Sequence, residues 1–86
     1  MKIHEMMTPE TWCQRAYALD DQHRQVPPRS PAACRWCAVG WLIKTFGFGF
    51  MREEEALWRA GKMSLTTFND THTFEEVRDL LRRCDL

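Results

Sequence analysis

Apolar residues recur along the chain at helical spacing, and this pattern predicts an all-α fold of four helices in one small domain, residues 1–86. The C-terminal segment shows the pattern best, because its apolar residues fall on one helical face: Phe74, Val77, Leu80, Leu81 and Cys84. Thr73 lies just before this run and Glu76 lies within it, and the two are predicted to form a capping box. In a capping box, each side chain accepts a hydrogen bond from the other residue's backbone N–H. A helix is therefore expected from about residue 74 to the end of the chain.

A first helix is predicted from Thr8 to about Gln22. Thr8 is a suitable N-cap, and Pro9 suits the first helical position because its missing N–H costs nothing there. The apolar residues that follow share one helical face: Trp12, Cys13, Ala16 and Leu19. The paired prolines Pro27 and Pro28 then favour an extended linker.

The central helix is predicted over residues 31–46, starting at Ser30-Pro31 and ending near Phe46. Positions 36–43 are apolar on almost every side, which is typical of a buried helix, so the other helices are expected to pack around this one. Gly40 in its middle indicates a close approach by another helix.

The remaining segments are shorter. Gly47-Phe48-Gly49 breaks the helical pattern, and a third helix is expected from Phe50 or Met51 to Gly61, with Leu57 and Trp58 as its anchors in the core. Residues 64–71 are predicted as a turn or a single helical turn around Leu65 and Phe68.

Charge and composition narrow the classes of function. Twelve Lys and Arg balance twelve Asp and Glu, and no basic stripe is visible, so nucleic-acid binding is not expected. No apolar run approaches the roughly 20 residues of a membrane span, and the N-terminus lacks the apolar core of a signal peptide. We expect a cytoplasmic protein with reduced thiols. The zero net charge favours association with proteins, a second copy of the chain included.

Cys34 and Cys37 are the first candidate site. Three residues apart on a helix, two thiolates share a face and could hold half of a zinc site, with two further ligands from Cys13, His72 and Cys84. One of the two could instead be an enzyme nucleophile, because a helix N-terminus lowers a thiol pKa. Their large apolar neighbours favour a third interpretation, that of buried core thiols. No metal, no cofactor and no catalytic residue is therefore predicted.

A protein-binding surface is the favoured hypothesis. Four tryptophans and five phenylalanines exceed what four short helices can bury comfortably, and exposed aromatic residues and arginines are the usual anchors of interfaces. Phe48, between two glycines, is expected to point outwards, and Arg35 and Trp36 are further candidates. Asn69 and Asp70 are predicted to cap backbone N–H groups in a tight turn, with His72 just before the N-cap of the last helix. In the alternative interpretation, Asn69, Asp70 and His72 form a second contact surface for a partner.

Three motifs resemble a family of small uncharacterised helical proteins from bacteria and their phages. They are W-x-x-x-A-Y at Trp12–Tyr17, C-x-W-C-A-x-G-x-L at Cys34–Leu42, and N-D followed by T-x-x-E-V-x-x-L-L at Thr73–Leu81. The resemblance implies a compact helical domain of bacterial or phage origin and carries no established activity. With that origin, a binding protein of this size is expected to occlude a larger complex, an inhibitor of a host defence system (anti-CRISPR) being one concrete form.

Overall fold

The computed structural model describes all 86 residues and contains five α-helices, a single 3₁₀ turn and a sheet of two very short strands. The elements in chain order are α1 (Ile3–Met6), the 3₁₀ turn (Pro9–Thr11), β1 (Ala18–Leu19), β2 (Arg35–Trp36), α2 (Ala38–Phe46), α3 (Met51–Gly61), α4 (Leu65–Thr71) and α5 (Phe74–Arg83). The structure confirms the predicted fold class, a largely helical single domain. None of these helices has the length and apolar character needed to cross a membrane.

The C-terminal half follows its local signals closely. Helix α5 begins with the predicted capping box, in which Glu76 N–H donates to Thr73 Oγ1 at 3.2 Å and Thr73 N–H donates to Glu76 Oε1 at 2.9 Å. That backbone N–H of Thr73 lowers the pKa of Glu76. Helix α3 ends at Gly61 as expected, although the left-handed residue that terminates it is Lys62, with φ 61°.

The predicted first helix is wrong beyond Thr11. Only the 3₁₀ turn after Thr8 forms, and the chain then continues without a helix, through bends at residues 14–17, to β1. Its backbone bonds go to distant residues, since Cys13 N–H donates to Trp36 O at 3.3 Å, and Arg15 has a left-handed φ of 65° that no helix allows. This non-helical path buries Cys13 and Ala18 and packs the partly buried Trp12, Ala16 and Leu19 against the core. Tertiary contacts therefore override the helical spacing.

The central helix starts later than predicted, at Ala38 rather than at residue 31. Residues 34–37 are extended, because the N–H groups of Cys34 and Cys37 donate to the carbonyls of Leu19 and Tyr17 at 2.9 and 3.2 Å. β1 and β2 pair antiparallel with Ala18 opposite Trp36. The helix N-cap is Cys37, whose Sγ accepts the Gly40 N–H at 3.3 Å, instead of Ser30.

The shortened α2 is nevertheless the centre of the core. Residues 38–43 are buried on every side, as the apolar run predicted. Helices α1, α3 and α4 pack against α2, and α5 packs on those three helices. Their buried apolar side chains complete the same core: Ile3 and Met7 near α1, Leu57 of α3, Leu65 and Phe68 of α4, and Phe74, Val77, Leu80 and Leu81 of α5. Burial of this apolar surface is the main favourable contribution to folding.

Gly40 allows a close approach between two backbone segments. A Cβ atom at this position would lie 2.0 Å from the carbonyl oxygen of Tyr17. The close approach predicted from the sequence is therefore present, but its partner is the extended segment before β1 and not another helix.

Gly40→Ala is expected to destabilise the fold by about 3 kcal/mol or more, because the new methyl group would push a backbone carbonyl out of place. Gly49→Ala is the control, since its Cβ would meet only an ordinary contact at 3.9 Å, and it should change the free energy of unfolding by less than about 0.5 kcal/mol. Chemical denaturation of both variants measures the difference, and equal stabilities would contradict the packing described.

Candidate functional site

The side chain of Asn69 is completely buried and connects three parts of the chain. Its Oδ1 accepts hydrogen bonds from the Ala38 N–H at 2.9 Å and from the Trp12 Nε1–H at 2.8 Å. Its Nδ2 donates to the Cys13 carbonyl at 3.0 Å. Asn69 thus helps to cap the N-terminus of α2 and fixes the extended N-terminal segment against it.

Asp70 continues this polar network at the surface. Its Oδ1 accepts the Arg15 N–H at 2.9 Å and a hydrogen bond from Asn69 Nδ2 at 3.2 Å. The side-chain amide of Gln14 donates to the carbonyls of Asn69 and His72, each at 3.0 Å. Asn69 and Asp70 do cap backbone N–H groups, as predicted, but those groups belong to distant segments and not to a local turn.

Two of the predicted binding residues lie inside the protein, so the expected exposure is wrong for them. Trp36 is only 8% exposed, because it packs on Trp41 and donates its Nε1–H to the Pro28 carbonyl at 2.8 Å. Asn69 is 0% exposed and cannot form part of a contact surface. Arg35 beside Trp36 is partly exposed.

His72 is also held by its neighbours. Its ring stacks on Phe68 with centroids 3.7 Å apart, and Nδ1 lies 2.9 Å from the Phe68 carbonyl. The structure therefore brings Asn69, Asp70 and His72 together at the end of α4 in one polar network, in which Asp70 and His72 are partly exposed. Their use as a contact surface stays a prediction.

The four thiols do not form the arrangement on which the metal hypothesis depended. Cys34 precedes β2 and Cys37 caps α2, so the two do not share a helical face. No three His, Cys, Asp or Glu side chains converge closely enough to hold a metal ion.

Cys13 and Cys37 are buried neutral thiols. Burial raises the pKa of Cys13 to about 12 and that of Cys37 to about 11. The Cys13 Sγ–H donates to the Ala16 carbonyl at 3.5 Å, which a thiolate could not do. These environments favour the core interpretation of both residues and do not activate either as a nucleophile.

The exposed apolar surface lies at the opposite end of α2. Phe46, Phe48 and Met51 surround the turn between α2 and α3, and we call these three residues the apolar corner. Phe48 is 80% exposed, Met51 76% and Phe46 41%. The outward position predicted for Phe48 is confirmed.

Gly47 fixes the shape of this turn. Its φ of 68° lies in the left-handed region, which favours glycine, and its N–H donates to the Ile43 carbonyl at 2.8 Å. A Cβ there would lie 3.1 Å from Nη1 of Arg29. The corner is therefore held by a specific backbone conformation.

Trp58 extends the apolar surface along α3. It lies two helical turns after Met51 and is 56% exposed, so the prediction that it anchors α3 in the core is wrong. Leu57, the other predicted anchor, is buried as expected. Met51 and Trp58 were not predicted as surface residues from the sequence. A usable signal was present, because residues seven apart share one face of a helix and only the opposite face of α3 is buried.

Comparison with known proteins places the whole chain in one family. Residues 1–85 match DUF6197, described as a family of unknown function. The chain belongs to this family. No curated protein and no solved structure shows significant similarity to the chain. Membership agrees with the expected resemblance to an uncharacterised family, and it transfers no catalytic or binding residue to the chain.

Asn69→Ala is expected to destabilise the protein by about 3 kcal/mol or more, because it leaves the Ala38 N–H buried without its acceptor and removes the other bonds of Asn69. Trp12→Phe removes only one of these bonds and should cost about 1 kcal/mol. Denaturant unfolding of the two variants tests whether Asn69→Ala loses more stability than Trp12→Phe. A loss below about 1 kcal/mol in Asn69→Ala would contradict the role described for this side chain.

The buried thiols predict a loss of stability at alkaline pH. An ordinary cysteine ionises near 9.0, whereas Cys13 and Cys37 ionise only at about 12 and about 11 in the folded protein. Between these values the unfolded chain releases protons that the folded chain retains, so the free energy of unfolding falls as pH rises above about 9.

Denaturation midpoints from about pH 8 to about pH 11 measure this effect. The double variant Cys13→Ala/Cys37→Ala should lose less stability over that range than the control variant Cys34→Ala. Equal pH dependence in the two variants would show that the buried thiols are not its source.

Proposed function

We propose that the protein is a non-enzymatic binding module that contacts a larger protein through the apolar corner, with Trp58 beside it. The observation that supports this proposal is the exposure of Phe46, Phe48 and Met51 around one turn of a small domain. Grouped exposed apolar side chains are typical of protein interaction sites, and aromatic residues contribute most of the binding energy at such sites.

The rigidity of the corner also favours binding. Phe46 belongs to α2 and Met51 to α3, and the turn between them is fixed by Gly47. Side chains that are ordered before a partner arrives lose less conformational entropy on binding. A preformed apolar projection of this kind suits a recess on the partner's surface.

A narrower form of the proposal is that the partner belongs to a host defence complex, as in an anti-CRISPR inhibitor. It is supported by the resemblance to small bacterial and phage proteins and by the small size of the domain, which suits a protein that acts by covering a surface. Identification of the partner decides this form: a subunit of a defence complex would support it, and an unrelated partner would exclude it.

Site-specific photocrosslinking in the source cell tests the proposed surface. A benzophenone amino acid at position 48 is expected to capture a defined protein, and the same group at position 17 should not, because Tyr17 is an exposed aromatic residue outside the corner. Mass spectrometry identifies the adducts.

The variant Phe48→Ser provides the matched loss-of-binding test. Because Phe48 is largely exposed, its replacement should change the free energy of unfolding by less than about 0.5 kcal/mol while reducing partner binding at least about tenfold. Unchanged binding in Phe48→Ser, or equal capture from positions 48 and 17, would overturn the proposed surface.

A further inference from the structure

A pocket of about 350 Å³ lies directly beside the apolar corner and shares Phe46 with it. Its walls come from both ends of the chain and from the two helices that meet at the corner: Met1, Lys2, Ile3, Thr45, Phe46, Glu53, Asp85 and Leu86. This volume is at the small end of ligand pockets, so it suits one long side chain better than an extended ligand.

The pocket contains one carboxylate without a partner. Lys2 Nζ lies 3.2 Å from Asp85 Oδ2 and donates to the Asp85 carbonyl at 3.1 Å, so these two charges neutralise each other. Glu53 forms no ion pair or hydrogen bond, and its Oε2 is buried without a donor. A partly buried, unpaired carboxylate attracts a cation or a strong hydrogen-bond donor.

Two further features of the lining residues favour a cation. The carbonyls of Thr45 and Phe46 lie at the C-terminus of α2 and accept no backbone hydrogen bond, so they present the negative end of the helix dipole. The half-exposed ring of Phe46 offers an aromatic face, on which a guanidinium group stacks well.

We propose that this pocket binds an arginine side chain of the partner protein, with Glu53 as its carboxylate acceptor and Phe46 as its stacking surface. The inference rests on the proposed function, because it assigns a chemistry to the partner that covers the apolar corner. The partner surface would then present an arginine beside the recess that takes Phe48. Because Glu53 Oε2 is buried, the guanidinium would donate to the other oxygen, Oε1, while its plane stacks on the Phe46 ring. The two contacts together would fix the orientation of the two proteins.

The probe for this pocket is Nα-acetyl-arginine N-methylamide, titrated into the full-length protein at constant ionic strength. Two-dimensional NMR is expected to show saturable shifts at the amides of Thr45, Phe46 and Glu53. The citrulline analogue has nearly the same shape without the charge, and it should produce no saturable shift at these amides. Because this comparison uses the unmodified protein, it does not depend on the folding of any variant.

Glu53→Gln should weaken arginine binding about tenfold, whereas Glu54→Gln, the same charge change at the next position of α3, should leave it unchanged. Absence of saturable shifts, equal binding of citrulline, or equal effects of the two variants would overturn the inference. If arginine does not bind in the pocket but Phe48→Ser abolishes partner binding, the proposed function stands without the arginine pocket. If arginine binds but Phe48→Ser retains the partner, the proposed function fails instead.

Discussion

The buried side chain of Asn69 is the interaction on which the rest of the structure depends. One carboxamide accepts from Ala38 and Trp12 and donates to Cys13, so it joins the start of the central helix to an N-terminal segment that lies 56 and 57 residues before Asn69 in sequence. Buried polar groups are stable only when they are hydrogen-bonded, and these partners satisfy one another. This connection holds the extended N-terminal segment where its carbonyl at Tyr17 can lie against Gly40.

The central helix separates the part that holds the fold together from the part that faces outward. Helix α2 spans nine residues, Ala38–Phe46, which is roughly 13 Å along its axis. Asn69 binds the first residue of α2, Ala38, and the apolar corner begins at its last residue, Phe46. The corner can therefore carry exposed apolar side chains with little effect on the network at the other end, which suits a surface that is used for binding.

The accuracy of prediction from sequence depends on whether an element is determined locally. Helices α3 and α5 and the outward Phe48 follow from capping residues, helical spacing and flanking glycines, all of which act within a few residues. Residues 12–19 have helical spacing too, and Ser30-Pro31 has the signal of a helix start. The backbone N–H groups of Cys13, Cys34 and Cys37 nevertheless donate to partners that no local pattern specifies. For the same reason, the sequence did not reveal the role of Asn69, because its three partners become neighbours only in the folded chain.

The most direct test of this account is native-state hydrogen exchange at two N–H groups, the Ala38 amide and the Trp12 indole, both of which donate to Asn69 Oδ1. The account predicts that both exchange only through global unfolding, with the same opening free energy as the slowest amides of α2. Exchange of the Trp12 indole by a local opening, while α2 stays protected, would show that the N-terminal segment is not joined to the core through Asn69.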